Sequence, residues 1–259
     1  MNDEPTSPLA ATGEMPQHAA TRFAPAASLA DEWRRVLAFL RRPTLPTFTE
    51  TAGAWRVIAR VYALDMAVMF ALIATAAIVI ASGIDLPRTA LADIDFTLPI
   101  VLGVIIAAPV FEEIVFRGWL SGKPGPVLAL IAIIAGAGAF AAIGPALPLV
   151  RGLVLVFALV VAVAALVALR RKPAMNWFER GFPVLFWLSA LAFALVHLAN
   201  FSEGSLAMLL PLVIPQFVLG TLLGYVRVHI GLWAAIVLHA MHNATALTIA
   251  SLAMVGGEG

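Results

Sequence analysis

Seven long hydrophobic segments, separated by short polar connections, follow residue 60 of the chain. They lie near residues 61–83, 98–121, 125–143, 147–169, 183–200, 205–226 and 231–254. Most reach the roughly 20 residues that a helix needs to cross a bilayer. Continuous apolar runs favour helices over the alternating strands of a membrane barrel. The pattern predicts an all-α polytopic transmembrane helical bundle of about seven spans. The third segment is short and rich in Ala and Gly, so it could be re-entrant.

The chain before the first span divides into two parts. Residues 1–27 are rich in Ala, Pro, Thr and Ser, which predicts a disordered tail without a cleaved signal peptide. Residues 28–58 predict a basic amphipathic helix and a linker, with Ser28 as the N-cap and two acidic residues in the first turn. Such a helix is typical of an anionic membrane surface, although a solvated linker helix is the alternative. The membrane domain is then predicted over residues 59–256.

Composition supports the membrane interpretation and narrows the chemistry. The chain is 62% hydrophobic and 12% charged, with a mean hydropathy of +0.98, which exceeds what a soluble domain of this size can bury. Cysteine is absent, which excludes disulfides, zinc–thiolate sites and a cysteine nucleophile. Any metal would need histidine and carboxylate ligands. The net charge of +1 gives no reason to expect nucleic acid as a partner.

Basic residues alternate between the connections and predict an orientation. They precede the first span and follow the second, fourth and sixth, whereas the other connections are mainly acidic. By the positive-inside rule the N-terminus is cytoplasmic and the C-terminus is outside, as expected for a multi-pass protein of the cell membrane.

The second span contains three charged residues, Glu112, Glu113 and Arg117, in an apolar setting. Each charge at membrane depth costs on the order of 3 kcal/mol, so such residues are candidates for function. Glu113 and Arg117 are four apart on one helical face and can pair, whereas Glu112 is rotated by about 100°. One carboxylate can therefore be structural while the other performs acid–base chemistry. The alternative is a buried ion-pair lock between helices.

Other spans supply further polar candidates. His197 lies in the fifth span, and His239 and Asn243 share one face of the seventh, where Asn243 could orient His239 or bind a carbonyl. Glu112, His197 and His239 form a candidate ligand set for a divalent metal such as Zn²⁺. The same residues are equally compatible with a metal-free site in which a glutamate activates water. We expect His242 to be a packing residue and Asp65 to pair with Arg56 or Arg60 rather than to act in catalysis.

Three short patterns, in this order, resemble the signature motifs of the CPBP family of CAAX-processing and bacteriocin-processing intramembrane proteases, also called Abi. They are Glu112-Glu113-xxx-Arg117, Phe193-xxx-His197 and His239-xxx-Asn243. The resemblance covers about residues 98–250. It implies an intramembrane endopeptidase acting on a peptide or membrane-protein substrate.

The resemblance also implies a role for each site residue. Glu112 would activate water, and His197 would assist. His239 and Asn243 would stabilise the oxyanion, and Glu113 with Arg117 would support the site. Because the family is described both as metalloproteases and as metal-free glutamate proteases, zinc stays open.

Two features depart from the family pattern. Segments 125–143 and 147–169 lie between the first two motifs, like an inserted helical hairpin over about residues 125–169. The predicted topology also places His197 near the outer end of its span, far from Glu112. We expect residues 177–183 to lie at the interface, with a fifth span that starts later and is tilted. A non-catalytic scaffold or immunity protein of the same fold is the main alternative, and a small proton-relay transporter is another.

Overall fold

The computed structural model describes residues 22–46, 50–89 and 96–257, and this part of the chain is almost wholly helical. Two two-residue strands, β1 (Arg22–Phe23) and β2 (Glu50–Thr51), pair in parallel. The helices are α1 (Leu29–Arg41), α2 (Ala54–Ala81), α3 (Leu98–Leu102), α4 (Ala108–Arg117), α5 (Pro124–Ala142), α6 (Pro148–Ala168), α7 (Asn176–Val196), α8 (Leu206–Leu212), α9 (Ile214–His229) and α10 (Leu232–Gly257). A π-helical segment (Gly103–Ala107) joins α3 to α4. Single 3₁₀ turns follow α4 (Gly118–Ser121) and α7 (His197–Asn200).

The helices confirm an all-α, multi-pass membrane protein. In the described part of the chain six helical runs are long and apolar enough to cross a membrane, and α8 with α9, bent by 43°, would make a seventh. The third predicted segment forms the continuous helix α5, which is long enough to span. The first span begins earlier than predicted, because α2 starts at Ala54 and includes part of the expected linker.

The helices that carry the three motifs pack together in one part of the bundle. Helix α9 lies against α7, α10 and α2, and α4 lies against α10 and α7. Helices α5 and α6 pair closely with each other, with Gly136 against Ala158, and α5 adjoins the 3₁₀ turn after α4. Helices α5 and α6, the predicted hairpin, therefore pack mainly on each other and lie beside the helices that carry the motifs.

Helix α1 has the predicted cap, because the Ser28 hydroxyl accepts a hydrogen bond from the Asp31 N–H at 3.1 Å. Its inner face lies on protein: Val36 and Phe39 are buried, and the Tyr225 hydroxyl donates to the buried Glu32 carboxylate at 3.2 Å. At least part of the apolar stripe therefore contacts the bundle, and lipid contact by the rest of α1 stays a prediction.

The prediction of a disordered tail is wrong for residues 22–27, and its remainder lies outside the described residues. Phe23 is buried, with its ring 4.8 Å from the ring of His229. Arg35 donates to the carbonyl of Ala24 at 2.7 Å, and Ala26 N–H donates to Glu32 at 2.9 Å. An aromatic anchor and satisfied backbone groups order this segment.

The later, tilted start expected for the fifth span, with residues 177–183 at the interface, stays a prediction. Helix α7 begins at Asn176 and continues through Pro183. Its second half meets α4, because Ser189 donates to the carbonyl of Phe116 at 2.6 Å. The first half extends beyond the end of α4, where Phe178 packs on Trp119 of the 3₁₀ turn with ring centroids 5.8 Å apart. The register of the two helices therefore brings the second half of α7 to the end of α4 that carries the first motif.

Candidate active site

Glu113 is the central group of the site because one of its oxygens meets two partners. Arg117 donates to Glu113 Oε1 at 2.7 Å, as the i,i+4 spacing predicts. The same oxygen lies 2.9 Å from His239 Nδ1 on α10. The side chains of Glu113 and Arg117 are completely buried, and that of His239 is nearly so. The pairing neutralises the arginine in the bundle and fixes the orientation of the imidazole.

The hydrogen bond to Glu113 fixes the tautomer of His239. A carboxylate paired with arginine only accepts, so we assign the proton of His239 to Nδ1. The free Nε2 then presents a lone pair to the opposite side of the ring. Glu112 lies on that side, with its Oε2 3.7 Å from Nε2. The two adjacent glutamates thus flank opposite nitrogens of one histidine, an arrangement that sequence reasoning missed.

Glu112 differs from Glu113 in its surroundings. Its side chain keeps 25% of its surface exposed, whereas its Oε2 is buried without a hydrogen-bond partner among the described residues. A buried carboxylate oxygen and an imidazole lone pair therefore face each other, and the Glu112 side chain that carries the oxygen is partly exposed. Glu113 Oε1 thus has two partners and Glu112 Oε2 has none among the described residues, and the division of the motif into a supporting and a reacting carboxylate stays a prediction.

Asn243 forms a hydrogen bond where the regular hydrogen bonding of the second membrane helix is interrupted. The Ala108 N–H bonds to the Gly103 carbonyl in π-helical register. The same register would pair the Val104 carbonyl with residue 109, which is a proline and has no N–H. The Asn243 amide supplies the missing donor, with its Nδ2 2.9 Å from Val104 O. Asn243 therefore binds a carbonyl, and Glu113 rather than Asn243 orients His239.

Phe193 links His197 to the rest of the site. Its ring lies 4.7 Å from the ring of His197 and 5.6 Å from that of His239, centroid to centroid. The Arg117 guanidinium stacks over the same ring at 3.9 Å. His197 Nδ1 lies 2.7 Å from the Phe193 carbonyl, which assigns its proton to Nδ1 and leaves Nε2 free. Within the described chain His197 makes no hydrogen bond with Glu112 or His239.

Further groups hold the end of α4 in place. Arg227 of α9 donates to the carbonyls of Arg117 and Gly118 at 3.0 and 3.1 Å. Gly220 lets α9 approach closely, because a Cβ there would lie 3.2 Å from Arg117 Nη2 and 3.2 Å from the Phe193 ring. Gly224 allows a similar approach to Phe186. These two glycines, four residues apart, thus allow close helix packing beside the site.

Glu112, His197 and His239 are the candidate ligands for a metal ion. Each histidine has a free Nε2 and a hydrogen-bonded Nδ1, which is the state in which histidine binds metals. However, no three His, Asp or Glu side chains within residues 22–46, 50–89 and 96–257 are grouped closely enough to hold an ion. Glu112, His197 and His239 as placed do not fit a metal centre, and we derive no step through one. Zinc stays a prediction.

Two expectations for neighbouring residues are wrong. Among the described residues Asp65 does not pair with an arginine, and His242 is more than a packing residue, because His242 Nδ1 lies 2.8 Å from Asp65 Oδ2. Both side chains are largely buried between α2 and α10. The i+3 offset from His239 turns His242 toward α2, so sequence spacing could exclude it from the His239 face but could not name its partner.

Comparison with known proteins agrees with the motif resemblance. No curated protein and no solved structure matches the chain. Residues 94–245, more than half of the chain, match the family model described as type II CAAX prenyl endopeptidase Rce1-like. This range contains Glu112, Glu113, Arg117, His197, His239 and Asn243. The chain therefore belongs to the Rce1-like family of type II CAAX prenyl endopeptidases and is a membrane peptidase of this general class.

Proposed function

We propose that the protein is an intramembrane endopeptidase in which Glu112 and His239 activate a water molecule for attack on a peptide carbonyl. The observation that carries this proposal is the Glu113 carboxylate, which contacts Arg117 on one side and His239 Nδ1 on the other. This contact directs His239 Nε2 toward Glu112, where an imidazole lone pair and a carboxylate oxygen lie 3.7 Å apart. Two acceptors at this separation suit the binding of one water.

The proposed reaction proceeds through a tetrahedral intermediate. The water oxygen bonds to the carbonyl carbon as one water proton passes to Glu112. The carbon–nitrogen bond then breaks, and Glu112 returns this proton to the leaving amine. His239 holds the water at Nε2, and Glu113 stabilises any positive charge on the imidazole ring. The products are a free carboxyl group and a free amine.

Asn243 and His197 are proposed to assist on the substrate side. The Asn243 amide has two N–H groups and Val104 uses one, so the second is available to an oxyanion. His197 presents Nε2 beside Phe193 and would hydrogen-bond the reacting groups. The substrate is proposed to be a peptide or a membrane protein that reaches the site from the bilayer. The family description suggests a prenylated CAAX peptide as the first substrate to test.

The decisive experiment compares the wild type with Glu112→Gln in liposomes that contain a prenylated CAAX peptide with a fluorescence-quenching pair. We expect the wild type to cleave the peptide and the variant to lose at least about 100-fold in rate. Folded protein levels should be equal, because Glu112 Oε2 has no hydrogen-bond partner in the described structure and the substitution keeps the side-chain shape. Membrane proteomics of cells carrying each form would reveal natural substrates. Equal peptide patterns and phenotypes would favour the non-catalytic scaffold or immunity protein.

The proposed location is the cell membrane, with the N-terminus cytoplasmic and the C-terminus outside. The charge pattern of the connections supports this orientation. Under this arrangement α4 ends and α10 begins toward the cytoplasm, which places Glu112 and His239 in the inner half of the bilayer.

A further inference from the structure

A second buried acid–histidine pair, Asp65 with His242, lies outside the proposed catalytic groups. His242 Nδ1 and Asp65 Oδ2 are 2.8 Å apart, and the side chains are 14% and 3% exposed. The proposed reaction uses neither residue. Asp65 also lies outside residues 94–245, the region that matches the family. Two ionisable groups placed in the bundle therefore need a role of their own.

The position of His242 on α10 suggests that role. His239 and Asn243 contact the second membrane helix through Glu113 and Val104. His242 lies between these positions in sequence but contacts α2 instead. The Tyr62 and Thr245 hydroxyls form a second bond between α2 and α10, at 2.5 Å. Helix α10 is thus held by polar contacts to α4 and its preceding segment and by polar contacts to α2.

We propose that Asp65 and His242 are positioning residues that set the placement of α10, and hence the distance between His239 and Glu112. The physical reason is that a hydrogen bond is directional whereas apolar contacts are not. The surrounding apolar contacts allow a helix to slide or rotate slightly, whereas a buried hydrogen bond between an acid and a histidine fixes one register. A displacement of about 1 Å at reacting groups can cost on the order of 100-fold in rate. This proposal rests on the proposed function of the His239 site.

Leucine substitutions separate positioning from stability. Asp65→Leu or His242→Leu alone leaves a buried polar group without its partner, so each should lower both stability and kcat. The double variant Asp65→Leu/His242→Leu removes both groups, so its unfolding temperature should return toward the wild type. We expect its kcat to stay roughly 10- to 100-fold low with an unchanged KM. Thr75→Val on α2 is the control, because that hydroxyl bonds only to its own helix.

A second measurement does not depend on activity. The chain has no cysteine, so spin labels at Ile114→Cys on α4 and Leu252→Cys on α10 would be unique, and both native side chains are exposed. We expect the Asp65→Leu/His242→Leu background to shift or broaden the label-to-label distance, and Thr75→Val to leave it unchanged. An unchanged distance, or a double variant with wild-type kcat, would overturn the positioning role. If wild-type protein cleaves nothing, the proposed function fails while the distance measurement still decides the placement of α10.

Discussion

Asn243 donates a hydrogen bond to the Val104 carbonyl at the point where Pro109 removes the helix's own donor. One signature residue of α10 is therefore tied to an irregularity in the membrane helix that carries the first motif, Glu112, Glu113 and Arg117. The break need not weaken the second span, because a side chain from α10 satisfies the freed carbonyl.

Asn243→Ala should lower the stability of the protein by about 1–3 kcal/mol, because it leaves a backbone carbonyl without a partner inside the bundle. Adding Pro109→Ala restores a backbone N–H near Val104 and should recover part of this loss. Thermal unfolding in detergent measures both effects. Peptide cleavage should stay low in the double variant, since the amide proposed to face the oxyanion is still missing. Recovery of both properties would show that Asn243 has only a structural role.

The Glu113–Arg117 pair should behave differently from Glu112. Glu113→Gln leaves the buried Arg117 without its hydrogen-bonded counter-ion, so we expect a loss of about 3–5 kcal/mol in unfolding free energy. The double variant Glu113→Gln/Arg117→Met removes that charge and should regain stability. It should not regain cleavage, because His239 would lose the carboxylate that directs Nε2 toward Glu112. Chemical denaturation and cleavage rates measured on the same preparations would separate the two effects.

Gly220→Ala should destabilise the protein by about 1–3 kcal/mol and slow cleavage, because the added methyl group would press on Arg117 and Phe193. Gly138→Ala is a matched control, since a Cβ there meets no atom within 4 Å. In a helix interior that change should be neutral or slightly stabilising. Similar losses in both variants would contradict the close approach of α9 to the site.

Chelation is expected to leave cleavage unchanged, because no three donor side chains in the described structure are grouped for a metal. The test is dialysis against a chelator, followed by elemental analysis and a cleavage assay. Loss of activity that zinc restores would instead support Glu112, His197 and His239 as ligands, with His197 drawn toward the other two.

The predicted orientation can be tested with two cysteines introduced singly into this cysteine-free chain. Glu203→Cys should react with a membrane-impermeant maleimide in intact cells, because the positive-inside pattern places that connection outside. Arg171→Cys should react only after the cells are opened. The reverse labelling pattern would invert the proposed topology.

Sequence reasoning succeeded where the controlling interaction is local. The i,i+4 spacing predicted the Glu113–Arg117 pair, and Ser28 with Asp31 predicted the start of α1. Contacts between helices were harder to predict from the sequence. The partners of His242 and His239 depend on which faces of α2, α4 and α10 meet.

The register of α7 shows the same limit. Periodicity could not reveal that Ser189, in the second half of the helix, meets the end of α4. Helix α7 continues through Pro183, and aromatic side chains before and after it pack in the core. The fold class followed from hydropathy, whereas the site required the tertiary arrangement.

The bond between Glu113 and Arg117 also bears on how the protein enters the membrane. Both residues belong to one helix, so the pair can form as soon as that helix does, before α7, α9 and α10 have been synthesised. The second span can then enter the bilayer with these two charges compensating each other rather than as separate ions. The carboxylate that orients His239 in the folded protein can thus also act as the counter-ion of Arg117 during membrane insertion.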